Sequence, residues 1–274
     1  MKLFAYFLSA LAVVLIGIWI SAFLNEPFWF DNRKRAEHII HTNEYTYDSN
    51  GLIMPCGNYF CGIDISHHQG NIDWQRLAAS PDSVHFVILK ATEGVQFIDP
   101  QFSYNWIQSG SLGIKRGAYH FFRADRPIEA QTIWYIKNVP LQDNDLPPIL
   151  DFEQTGSLSN DSVISMIHYW LNNVQRYYKR TPIIYTNKKL YKAFIQTHFS
   201  SYPLWLAHYD TLNPTALKFS PDWRIWQMSD RAKINGIGSS VDYNLILRDS
   251  SGKALLKSIP MTVKPAESYI SASH

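Results

Sequence analysis

Pro148-Ile149-Leu150-Asp151-Phe152-Glu153 is the stretch that decides the fold. A proline opens a short apolar run, and the run closes on two acids separated by a phenylalanine. Successive side chains on a strand point to opposite faces, so Asp151 and Glu153 share one face and Phe152 takes the other. A strand apolar along its length and acidic at its carboxyl end reads as a buried strand that opens into a polar mouth.

Working outward, seven more β-prone runs repeat the theme, nearly all finishing at a polar or aromatic residue. They are Gly62–Asp64, Phe86–Lys90, Gly117–His120, Pro182–Tyr185, Leu204–Ala207, Arg224–Gln227 and Val241–Tyr243. Segments with helical character follow the first five runs: Trp74–Ala79, Phe102–Gly110, Pro127–Val139, Asp161–Lys179 and Lys188–Phe199. Pro127 suits a first helical turn, and Ser159 or Asn160 is placed to cap the fourth helix. The apolar positions of that helix, Val163, Ile164, Ile167, Trp170, Leu171 and Val174, keep helical spacing. Alternating strand and helix predicts a parallel sheet with right-handed crossovers, and eight strands predict closure. From Cys61 to Arg248 there are 188 residues, fewer than the roughly 200 at the low end for a full barrel. The last connections carry Pro214, Pro221, Gly236 and Gly238 without helical period. The expectation is α/β: a trimmed (β/α) TIM-like barrel with eight strands and about five helices, whose polar strand ends converge on one face.

Composition narrows the function classes. Of 274 residues, 46% are hydrophobic and 18% charged, with a net charge of +2. Such a chain buries a core, so it is neither disordered nor collagen-like, and it lacks the basic excess of a nucleic-acid partner. A mean hydropathy of −0.19 excludes a polytopic membrane protein. Two cysteines are too few for a disulfide scaffold. Apolar cores use Trp sparingly, so part of the set of nine Trp, sixteen Tyr and fifteen Phe reads as a stacking surface. A monomer is expected.

The N-terminus reads differently. Leu3 to Leu24 is a run of 22 uncharged residues, long enough for a helix to cross roughly 30 Å of hydrocarbon. A secretory signal has a shorter apolar region and a small-x-small cleavage site, of which Ile20-Ser21-Ala22 is a poor version. Residues 1–24 therefore read as an uncleaved membrane anchor, with a cleaved signal and a secreted product as the alternative. Lys2 and Arg33-Lys34-Arg35 flank the segment and pull its orientation in opposite directions. The chemistry inferred below sets the orientation instead, with the barrel outside the cytoplasm. Residues 25–60 read as a stalk, 61–248 as the barrel and 249–274 as a tail. Cys56 and Cys61 could close a small loop in an oxidising compartment, and no second Cys/His pair supports zinc.

Chemistry is sought at the strand ends. Asp64 ends the first run and Asp242 the last, and first and eighth strands are neighbours in a closed barrel. Asp151 and Glu153, about 7 Å apart along one strand, cannot both ionise freely in a partly dehydrated mouth, so one is expected to hold its proton. A D-x-E alone is commonly a solvated edge, and Asp64 or Asp242 alone could cap a turn. The coincidence of four acids on three strands favours acid–base work. A metal site is the competing reading, but His67, His68, His120 and His208 show no ligand spacing. His67-His68 is placed near the mouth, and His120, at a strand end, reads as a hydrogen-bonding wall or a packed side chain. There is no G-x-S-x-G elbow and no glycine-rich phosphate loop. Tyr119, Tyr185, Trp205, Tyr209 and Trp226 lie in or beside strand ends, where rings could stack on sugars; for Trp226 core packing is an equal reading. Paired carboxylates with aromatic platforms are the chemistry of glycoside hydrolysis.

Beyond this reading, the chain resembles the glycoside hydrolase family 25 lysozymes of the Chalaropsis type. The resemblance rests on Gly62-Ile63-Asp64-Ile65-Ser66-His67-His68-Gln69-Gly70 with Ile72-Asp73-Trp74, on Leu89-Lys90-Ala91-Thr92-Glu93-Gly94 with Asp99-Pro100 and Phe102, and on Gly117-Ala118-Tyr119-His120-Phe121. Asp151-Phe152-Glu153, Pro182-Ile183-Ile184-Tyr185-Thr186, Trp205-Leu206-Ala207-His208-Tyr209, Trp226-Gln227 and Val241-Asp242-Tyr243-Asn244 continue it in order. It spans residues 62 to 248 and implies a flattened β8α5 barrel without metal or other cofactor. The implied activity is N-acetylmuramidase: cleavage of the β-1,4 bond between N-acetylmuramic acid and N-acetylglucosamine in peptidoglycan. Carried onto this chain, Glu153 resembles the catalytic acid, and Asp151 would stabilise charge or orient the 2-acetamido group. Asp64 and Asp242 would be supporting carboxylates. Tyr119, His120, Tyr185, Trp205, His208 and Gln227 would face the substrate, and Lys90 and Glu93 would be structural or at the rim. A catalytically silent, membrane-tethered peptidoglycan-binding module is the alternative. Sequence leaves open whether a covalent intermediate or the substrate's acetamido group carries the reaction.

Overall fold

The structure is a computed structural model of the chain, and it describes residues 45–47, 53–55, 59–80, 84–209 and 223–247. Two units divide the chain, 1–43 and 44–274. The first unit, and with it the apolar segment 3–24, lies outside the described residues, as do Cys56 and the tail beyond 247. Among the described residues no helix is long and apolar enough to cross a membrane.

A small antiparallel pair, β1 (Tyr45–Tyr47) and β2 (Ile53–Pro55), lies within the segment read as a stalk. The barrel follows. Its strands are β3 (Tyr59–Ile65), β4 (Phe86–Glu93), β6 (Lys115–Phe121), β7 (Ile149–Asp151), β8 (Ile183–Asn187), β9 (Leu204–Ala207), β10 (Trp223–Ala232) and β11 (Val241–Leu247). A two-residue strand, β5 (Phe97–Ile98), pairs with the end of β4. The order β3-β11-β10-β9-β8-β7-β6-β4 closes through β3–β4 pairing. The helices are α1 (Trp74–Ala78), α2 (Phe102–Ser111), α3 (Ile128–Asn138), α4 (Asn160–Tyr178) and the composite α5. α5 runs as Lys188–Leu190, a π turn Tyr191–Ile195, and Gln196–His198. Eight barrel strands and about five helices match the sequence-based expectation.

One feature of the expected sheet is corrected. Pairing is parallel from β3 through β4, β6, β7, β8 and β9 to β10, but β11 is antiparallel to both β10 and β3. Only residues 233–240 join β10 to β11. A parallel crossover needs a dozen or more residues, so a connection this short can only turn back as a hairpin. The reversal brings the start of β11, not its end, to the mouth formed by the carboxyl ends of the other strands.

Alternation builds two apolar layers. Inside the barrel, Phe86, Ile88, Leu146, Ile149, Ile183, Tyr185, Trp205, Ile225 and Ile246 pack together. Their strand neighbours Val87, Leu89, Leu150, Ile184 and Leu206 point outward onto the helices. α4 contributes Val163, Ile167, Trp170, Leu171 and Val174 to that outer layer, and Ser159 caps it by accepting from the Ser162 amide. Gly62 is required at the barrel base, because a Cβ there would come within 2.5 Å of the Phe86 ring. The barrel interior is thus filled below, and only its upper end is open to polar side chains.

Candidate active site

At that upper end lies a cleft of about 270 Å³. It is lined by Asp64, Asp151, Glu153 and Asp242, with Lys90, Tyr119, Phe121, Tyr185, Trp205 and Gln227, and at one rim by Ser66, His68 and Gln69. All four acids singled out in the sequence meet there. Asp151 ends β7 facing inward, Phe152 is fully buried in the outer layer against Phe122 and Phe194, and Glu153 returns to the cleft. Strand alternation therefore continues past the last paired residue. The Phe152 amide donates to the Tyr185 carbonyl (2.9 Å), and Thr186 Oγ1 donates to the Phe152 carbonyl (2.7 Å), which holds this reach extended.

Asp64 and Asp242 stand opposite each other in the β3–β11 register, and their carboxyls are hydrogen-bonded. Two amides serve one oxygen of Asp64: Asn244 Nδ2 donates to Oδ2 at 2.7 Å and Gln227 Nε2 at 2.9 Å. Each amide is oriented from behind. Trp205 Nε1 donates to Asn244 Oδ1 (2.8 Å), and the hydroxyls of Tyr185 (2.8 Å) and Tyr209 (2.7 Å) both donate to Gln227 Oε1. This shell favours charge on Asp64, and burial opposes it and raises its pKa. Asp242 is pushed up to about 8 by burial and then by the Asp64 charge beside it. The pair holds one proton, on Asp242, through neutral pH.

The second pair divides differently. Asp151 is 6% exposed, and its Oδ1 has no hydrogen-bond partner. Burial first and the Glu153 charge second push Asp151 well above the usual carboxylate range, and Lys90 pulls the other way. Glu153 is exposed at the mouth. Lys90 Nζ pairs with Glu93 Oε2 at 2.6 Å and lies 4.8 Å from the Phe121 ring centre and 5.5 Å from that of Phe97. Burial, with Asp151 next, likewise raises the Tyr119 and Tyr185 phenols, which stay neutral.

Some expected substrate-facing residues are placed elsewhere. His120 is fully buried on the outer face of β6, stacked on Trp170 (6.0 Å, 18°), with Nδ1 on Thr92 Oγ1 (2.8 Å) and Nε2 on Gln131 Oε1 (3.2 Å). Tyr119 points inward, so its neighbour His120 must point out. Burial lowers its pKa to about 4, so it is neutral and packed. The His208 ring is not among the groups lining the cleft; its backbone contributes instead, donating to the Gln227 carbonyl and accepting from Trp226 Nε1. Trp226 is fully buried in the outer layer, and Trp205, 1% exposed, forms the floor rather than a free platform. Asn244 had no sequence-based role, although its position two residues after Asp242 on one strand put it on the same face. Lys90, likewise two after the inward Ile88, was legible by the same count.

The chain is similar to known proteins throughout this region. The family described as glycosyl hydrolases family 25 matches residues 63–237. Escherichia coli YegX (strain CFT073) is 33% identical over 249 residues, covering 89% of this chain and 90% of that protein. Lysozyme M1 of Streptomyces globisporus is 31% identical over 196 residues, covering 67% of this chain and 66% of the relative. A family 25 glycosyl hydrolase from Bacillus anthracis superimposes with a TM-score of 0.64 at 25% identity, covering 77% of this chain and 96% of that structure. The matched segment carries Asp64, Asp151 and Glu153 and stops in the hairpin just before Asp242. Spanning more than half of the chain and three of the four cleft acids, it establishes that the chain belongs to glycosyl hydrolase family 25.

Proposed function

We propose that this chain is a lysozyme, a 1,4-β-N-acetylmuramidase that hydrolyses peptidoglycan between N-acetylmuramic acid and N-acetylglucosamine. The observation that carries the proposal is the meeting of four carboxyls from three strands in one cleft. Family membership and the Lysozyme M1 relative support it. Asp151 and Glu153 hold a proton between them, and Glu153, open at the mouth, is the carboxyl placed to deliver it to the glycosidic oxygen as the bond from that oxygen to the anomeric carbon breaks. Asp151 lies deeper, with an oxygen free to accept a donor such as the acetamido N–H of the sugar. The Asp64–Asp242 pair supplies a single fixed negative charge near the oxocarbenium-like centre. Water then adds to the anomeric carbon and gives a proton back to Glu153. A silent binding module would not need this acid set, so catalysis is the favoured reading.

Purified peptidoglycan with wild-type protein should release reducing ends, and Glu153→Gln should slow that release by about 10²- to 10⁴-fold with an unchanged circular dichroism spectrum. Full activity in Glu153→Gln would overturn the assignment. A peptidoglycan substrate lies outside the cytoplasm, and the uncharged segment 3–24 suits a helical anchor. The proposed location is therefore the outer side of the cytoplasmic membrane, as a tethered monomer.

A further inference from the structure

We propose that His67, His68 and Phe97 form an additional sugar subsite at the rim of the cleft, holding units of the glycan strand beyond the two that flank the cut bond. The inference rests on the muramidase reading and extends it. Of the five rings considered as platforms, Trp205, Trp226 and Tyr185 are buried and use their polar atoms within the fold, while Tyr119, in the cleft lining, and Tyr209 are half-buried. More exposed rings beside the cleft stand on the wall after β3 and at β5. His68 is exposed and lines the cleft beside the acids. The His67 ring lies 4.0 Å from it at 37°, and Phe97, 40% exposed, lies 5.8 Å from His67 at 58°.

This wall is built, not incidental. Ser66 and Gln69 form a capping box around the turn His67–Gln69. Asp99, 2% exposed, takes both the His67 amide (2.9 Å) and Nδ1 (2.7 Å) on one oxygen. The Phe97 carbonyl accepts from Trp134 Nε1 at 3.0 Å, and Lys90 joins the Phe97 and Phe121 rings to the cleft. Preorganised rings continuous with a polar cleft suit a pyranose, whose C–H face meets the electron-rich ring face. The ligand class is a β-1,4-linked N-acetylhexosamine strand.

Binding in the Glu153→Gln background keeps the test independent of turnover. Calorimetry with defined alternating N-acetylglucosamine and N-acetylmuramic acid strands would compare a tetrasaccharide with an octasaccharide. His68→Ala with Phe97→Ala should cut the octasaccharide-to-tetrasaccharide affinity ratio by about tenfold, and Phe97→Tyr, which keeps a ring, should preserve it. An unchanged ratio, or an equal loss at both lengths, would overturn the subsite. A reduced ratio alongside a wild-type protein that cuts nothing would keep the subsite and remove the muramidase reading.

Discussion

Protons in the cleft are governed by which carboxyl is buried beside which. Burial raises the Asp64 carboxyl, and the two amides on one of its oxygens, with Asp242 beside it, work in the opposite direction. The folded-state pKa of Asp242, about 8, lies above its ordinary value of 3.8. A group shifted this way holds its proton more tightly in the folded state. Its stabilisation is complete below about pH 4 and is lost as pH rises through about 8. Thermal melts from pH 4 to 8 should therefore show stability falling with pH. Asn mimics the protonated acid, so Asp242→Asn should flatten that fall. A residual slope should persist, because Asp64 and Asp151 are raised as well. Identical slopes in the two proteins would show that Asp242 is not the titrating group. The residue scale also explains His120: it lies one position from Tyr119, and a single step along a strand exchanges the cleft for the helix layer.

At the scale of elements, the β10–β11 hairpin is the distinctive device, since its reversal presents Asp242 to Asp64. Its turn is seated on α1: the Asp73 amide donates to the Gly236 carbonyl at 2.9 Å, and Gly236 has φ +94°. A Cβ there would lie 2.5 Å from the Asp73 carbonyl oxygen. Gly236→Ala should therefore destabilise the fold by about 1–3 kcal/mol, read as a lower midpoint in urea. Because the turn leads into β11, reducing-end release should fall in the same variant. A wild-type midpoint would mean the hairpin rearranges freely. The helix boundaries lay close to the expected ones because apolar periodicity and caps such as Ser159 are local signals.

For the whole molecule, the proposed anchor can be tested apart from the barrel. If residues 3–24 anchor the chain, removing residues 1–24 should move the protein from the membrane to the soluble fraction. Specific activity on solubilised glycan strands should hold within about twofold, since barrel closure makes the cleft without that segment. Equal partition of the full and shortened chains between the fractions would remove the anchor proposal.

Much of this protein was legible before any coordinates. Strand-length apolar runs, helical spacing and acids at run ends are local patterns, and they specified a closed barrel with Asp64, Asp151, Glu153 and Asp242 at one mouth. Tertiary structure decided the rest. The direction of β11, the burial of Trp205, Trp226 and His120, and the shared proton of Asp64 and Asp242 all depend on which distant segments pack together. A residue's own neighbours in the chain tell which way it alternates, whereas its solvent exposure, its charge and its hydrogen-bond partners are set by strands far away in the chain. For that reason the hydrogen bond from Asn244 to Asp64 and the approach of Phe97 to His67 emerged only once the sheet had closed, whereas the place of His67-His68 near the mouth followed from its position after Asp64.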